Sequence, residues 1–70
     1  MELYTLTTKG SLLSHSPARQ SDPKKANMMR MVYFLSKAHV TDKEKIVASG
    51  GGDYSAWNEL VRHGIIQKAG

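Results

Sequence analysis

The sequence predicts a small, mainly helical domain built on three helices with a minor sheet, and three observations point to it. Asp22-Pro23 opens a long segment with apolar residues at helical spacing, Thr41-Asp42-Lys43-Glu44 opens a second helical segment, and Gly50-Gly51-Gly52-Asp53 separates that from a third. At 70 residues the chain has room for one core, and a domain of this size buries only about 60% of the surface its unfolded chain exposes. The reading is one domain over 1–70, with a short strand and loop in 1–21 and a trihelical core plus a C-terminal strand in 22–70. Cysteine is absent, so neither a disulfide nor a thiolate metal site is open to it. Helix packing or self-association must supply the stability.

Leu3-Tyr4-Thr5-Leu6-Thr7 is rich in aromatic and β-branched residues and stops at Lys9-Gly10, which predicts a short strand. So short a strand needs a partner, and Ile65-Ile66-Gln67-Lys68 near the other end is the candidate, giving a two-stranded sheet. Ser11 to Ser21, with Ser14, Ser16 and Pro17 between, predicts a loop. Leu12 and Leu13 either anchor its beginning on the core or extend a turn from Gly10.

The first main helix is expected over Pro23 to Ala38. An Asp cap accepts free amide protons of the first turn, and proline at the first helical position has no amide proton to lose. Met28, Met31, Val32 and Leu35 follow i, i+3, i+4, i+7 and form its buried stripe, which Met29, Tyr33 and Phe34 widen. His39 ends the helix, where a cation favours the dipole. The second helix starts at Thr41, because T-x-x-E has the form of a capping box, and reaches about Ser49 with Ile46 and Val47 inward. Asp53 caps the third, over Tyr54–His63, with Tyr54, Trp57, Leu60 and Val61 as its buried stripe. Ser55, Asn58, Glu59, Arg62 and His63 remain outward. Gly64 followed by Ile65 suits a Schellman-type end.

Formal net charge is +4, unevenly distributed. Residues 1–7 hold only Glu2. Lys9, Arg19, Lys24, Lys25, Arg30 and Lys37 against Asp22 leave residues 8–40 at +5, while charges balance over 41–70. The basic excess could meet phosphates, meet an acidic protein surface, or act as solvated surface that keeps a small protein in solution. No run of about 18 apolar residues suits a membrane span, and Glu2 stands where a signal peptide is basic. A soluble, cytoplasmic protein is expected, without membrane association.

Two short helices joined by a glycine turn behind a third helix follow the plan of a helix-turn-helix unit. Val40-Thr41-Asp42-Lys43-Glu44-Lys45-Ile46-Val47, followed by Tyr54-Ser55-Ala56-Trp57-Asn58-Glu59-Leu60-Val61-Arg62-His63-Gly64-Ile65-Ile66, resembles the winged-helix DNA-binding family. There, a helix opening on T-x-x-E precedes a recognition helix ending in L-V-x-x-G-I-I. The resemblance covers roughly residues 24–68 and implies a winged-helix-like fold. It also implies that Ser55, Asn58 and Arg62 face the DNA groove, with Lys43 and Lys45 near phosphates. Few residues follow His63, so any sheet has to borrow the N-terminal strand in place of a full wing. Glu59 and Asp53 stand on or beside the supposed recognition helix as potential repellents of phosphate. Lys24, Lys25 and Arg30 on the first helix could grip phosphates from the flank.

Other chemistry is not expected. Ser49-Gly50-Gly51-Gly52-Asp53 lacks the Lys-Ser/Thr of a nucleotide loop and reads as a turn. His15, His39 and His63 are dispersed, so no metal site, catalytic set or cofactor is expected. Two functions remain: a small regulator of transcription that binds double-stranded DNA, or a protein-interaction module acting as a homodimer, inhibitor or adaptor. The second draws on the apolar surplus of Met28, Met29, Met31, Phe34 and Trp57.

Overall fold

Seven elements follow one another in the computed structural model, which describes residues 2–13 and 22–69. They are β1 (Leu3–Leu6), α1 (Thr8–Leu13), α2 (Pro23–Ala38), β2 (Val40–Asp42), α3 (Lys43–Ser49), α4 (Tyr54–Arg62) and β3 (Ile66–Ala69). The described residues are mainly helical, with one small antiparallel sheet in the order β2-β1-β3. Residues 14–21 of the loop expected over 11–21, with His15 and Arg19, lie outside the described residues.

α2 has the bounds its sequence signals predict. The Asp22 carboxylate accepts the Lys24 N–H at 2.9 Å, and Pro23 fills the first helical position. Met31, Val32 and Leu35 are wholly buried, and Met28 and Phe34 pack against them. Tyr33 does not widen the stripe. It is 56% exposed, because it falls with Arg30 and Lys37 on the side of the helix away from the core.

The sheet has three strands where two were expected. β1 runs down its centre, pairing Tyr4 with Thr41 on one side and with Lys68 on the other. β2 is three residues wedged between two helices, too short to display alternation. Its presence moves the start of α3. Thr41 is taken up in the strand, and Asp42, not Thr41, caps the helix by accepting the Lys45 N–H at 2.9 Å. Extended backbone at Asp42 ends a strand and caps a helix at once.

A four-residue turn, Gly50 to Asp53, joins α3 to α4. Gly50 is buried against α2. A β-carbon there would lie 2.8 Å from the Asn27 carbonyl oxygen, so only glycine lets the end of α3 come this close. α4 then closes in a Schellman motif: Ile65 N–H donates to the Leu60 carbonyl at 2.9 Å, Gly64 N–H to that of Val61, and Gly64 has φ +70°.

The inner face of α4 is rotated from the expected one. Ala56, Trp57 and Leu60 are buried, whereas Tyr54 and Val61 are 55% and 43% exposed. α4 packs on α2 and, through Trp57, edge-on against the Tyr4 ring of β1 at 4.8 Å. Contact along the Ala56 side leaves Tyr54 and Val61 at the margin. The small side chain at Ala56 permits that close approach.

α1 is a helix that takes in the residues after the first strand and the beginning, residues 11–13, of the expected loop. Thr7 sets it up: its Oγ1 accepts the Gly10 N–H, while its hydroxyl donates to the Gly64 carbonyl at 2.6 Å and its N–H to that of Ile65 at 3.0 Å. One threonine thus ties the chain leaving β1 to the turn between α4 and β3. Gly10 is buried in α1 under the Ile65 carbonyl, which leaves no space for a β-carbon. Leu12, 70% exposed, does not anchor this segment on the core. No helix of the described residues is long and apolar enough to cross a membrane.

Candidate nucleic-acid interface

The outward face of α4 follows from its inward one. With Ala56, Trp57 and Leu60 buried, 3.6 residues per turn carry Ser55, Asn58 and Arg62 onto a single stripe opposite them, and all three are exposed. Tyr54 and Val61 border this stripe on one side. Glu59 and His63 border it on the other.

Both carboxylates near the stripe are engaged within the fold. Glu59 faces Lys24 of α2 at 3.5 Å, His63 at 3.1 Å and Arg62 at 3.9 Å. The His63 hydrogen bond first, then the Lys24 charge, hold its carboxyl below the usual value. Asp53 accepts the Ala56 N–H at 3.1 Å as the cap of α4 and the Asn27 side-chain amide at 3.1 Å. Those bonds, that from Asn27 foremost, lower its pKa as well. Glu59 is therefore paired with basic side chains, whereas Asp53 keeps its charge and engages its oxygens in the cap of α4 and with Asn27.

The expected cations are divided by the fold. Lys43 leaves α3 on the side of α4, its ammonium 5.6 Å from the ring centres of both Tyr54 and Trp57. Lys24, through Glu59, flanks α4 on the opposite side. Lys45, two positions beyond Lys43, is exposed and lies on the outer side of α3, away from Ile46 and Val47. Lys25 and Arg30 are exposed on α2 but do not join Lys24 in one face. Arg30 shares its stripe with Tyr33 and Lys37, whose ammonium sits 5.4 Å from the Tyr33 ring centre.

Sequence reasoning assigned Tyr54 and Val61 to the core and so missed them as surface residues. Counting Ala56 among the apolar positions would have turned the predicted stripe toward Ala56, Trp57 and Leu60. It also gave no sign of the groove of about 440 Å³ between β1, the far end of α2 and the start of β2, with Thr5, Tyr33, Lys37, His39 and Val40 along it. His39 ends α2 there with φ +67° and ψ −59°, a conformation rare for a side chain with a β-carbon, while its carbonyl accepts the Thr5 hydroxyl at 2.8 Å. Among the described residues, no three His, Asp or Glu side chains gather as a metal-binding set would. No family model, curated protein or solved structure matches the chain.

Proposed function

We propose that this is a small DNA-binding protein, acting in the regulation of transcription, that lays α4 in the major groove of duplex DNA. The observation that carries this reading is the exposed Ser55–Asn58–Arg62 stripe, beside which Glu59 is ion-paired to Lys24 and Asp53 is turned inward as the cap of α4, hydrogen-bonded to Asn27 and the Ala56 N–H. An amide side chain pairs with adenine, a guanidinium with guanine, and a serine hydroxyl with base or phosphate. A bare helix fits a groove about 12 Å wide. α3, a four-residue glycine turn and α4, stacked on α2, support the helix-turn-helix reading and with it the resemblance to the winged-helix family. Lys43 and Lys24 on the two flanks of α4, with Lys45 outside α3, are the phosphate contacts of this arrangement.

Most of the apolar surplus that favours a protein-interaction module is part of the core: Met31 and Trp57 are buried, and Met28 and Phe34 pack against them. An amide-shift titration with random duplex DNA at low and moderate salt tests the DNA reading. The expected result is that Ser55, Asn58, Val61 and Arg62 shift together, with affinity falling steeply as salt rises. Silence of α4, or shifts confined to Arg30, Tyr33 and Lys37, overturns it.

A further inference from the structure

We infer that α4 reads A·T pairs in DNA, with Val61 resting on a thymine methyl group beside the adenine held by Asn58. This rests on the reading of α4 as the groove helix and assigns that helix a base preference. Val61, 43% exposed, borders the polar stripe beside Tyr54, one turn from Asn58 and next to Arg62 in sequence. No core contact requires an apolar residue there, and the buried line of the helix runs through Ala56, Trp57 and Leu60. Valine's branched side chain is stiff, so its methyl groups form a fixed apolar patch.

Of the four bases, thymine alone offers an apolar group in the major groove, and its partner adenine offers N7 and the N6 amino group to an amide side chain. Asn58 and Val61 are separated by three residues, about 4.5 Å along the helix, close to the roughly 3.4 Å between stacked base pairs. An amide and a methyl patch at that spacing match an adenine and a thymine on the same or adjoining pairs. Charge selects the occupant: Lys43 and Lys24 flank the stripe, Arg62 lies on it, and of the two neighbouring acids Glu59 is ion-paired and Asp53 hydrogen-bonded within the fold. Thymine's methyl group also separates DNA from RNA, whose deep, narrow major groove a helix does not enter.

The test starts by enriching a random duplex pool on the wild-type protein, then replaces each thymine of a selected duplex in turn by deoxyuridine, which removes the methyl group alone. Binding is read by fluorescence anisotropy at fixed salt. One replacement is expected to weaken wild-type binding about fourfold, the worth of roughly one buried methyl group. Val61→Ala is expected to bind the thymine duplex about as weakly and to lose the thymine preference, while Val61→Thr retains part of it. Unchanged circular dichroism of these variants shows that the fold is kept. Selection of no common sequence, equal response at every thymine, or an undiminished preference in Val61→Ala overturns the inference but leaves DNA binding standing. Failure of the wild type to bind any duplex in the pool overturns both.

Discussion

α2 carries four of the chain's basic side chains, Lys24, Lys25, Arg30 and Lys37, and α4 carries one, Arg62, yet α4 presents the more coherent surface. Around α2 the cations are dispersed. Lys24 turns to Glu59, Arg30 lies on the far side, and Lys37 covers Tyr33. On α4, Ser55, Asn58 and Arg62 converge on one stripe because a single rotation of the helix buries Ala56, Trp57 and Leu60 together. Charge density along a chain is therefore a poor map of a binding face. Phase around the helix decides which groups meet a ligand together, and burial of the opposite face sets that phase.

The contrast breaks most readily in the packing that sets it. Leu60→Ala removes a wholly buried side chain from the α2–α4 contact and is expected to destabilise the protein by about 3 kcal/mol in urea denaturation. Tyr54→Ala and Val61→Ala, at the exposed margin, are expected to cost about 0.5 kcal/mol. Equal losses at all three positions would mean that α4 is rotated to bury Tyr54 and Val61 after all.

The second contrast concerns binding. Asn58→Ala or Arg62→Ala is expected to weaken DNA affinity by about tenfold or more, the worth of a paired base contact, whereas Arg30→Ala changes it less than about twofold. A loss at Arg30 as large as at Arg62 would move the interface to the outer stripe of α2.

The end of α2 offers a sharper and smaller test. His39 adopts φ +67°, which glycine reaches without a β-carbon penalty, so His39→Gly is expected to stabilise the fold by about 1 kcal/mol in calorimetry. A destabilised variant would show that the imidazole contributes more than its backbone strain costs.

The smallest effect expected is that of Glu59 on acid stability. Its folded pKa lies below the ordinary 4.5, chiefly through His63 and then Lys24. The resulting stability is therefore present above about pH 4.5 and is lost as pH falls through the folded value. Urea midpoints measured across that range are expected to fall more steeply for the wild type than for Glu59→Gln. Parallel curves would show that Lys24, Arg62 and His63 around this carboxylate add nothing to the fold.

Elements with local signals were legible in the sequence. Asp22-Pro23 marked α2 because cap and first turn are neighbours in the chain, and Gly64-Ile65 marked the Schellman end of α4 for the same reason. Pairing of the two terminal strands was also legible, since the sequence offered β1 no other candidate partner. β2 was not, because three residues between helices become a strand only when β1 lies beside them. α1 was not legible either, because Lys9-Gly10 reads as the stop of a strand, and its start depends on Thr7, whose hydroxyl also bonds a carbonyl 57 positions away. For the candidate site, the sequence singled out Ser55, Asn58 and Arg62, which do share a stripe, but it grouped Lys24, Lys25 and Arg30, which do not.

Sequence by itself determined where the principal helices begin and end and which residue types they carry, because caps, glycine stops and apolar spacing act within a few residues. Tertiary structure decided what α4 packs against, which groups from other elements flank its outer stripe, and whether Glu59 and Asp53 stand free. Those outcomes depend on Tyr4, Lys24 and Asn27 arriving from other elements, and the energies that favour them exist only once β1, α2 and α4 are packed together.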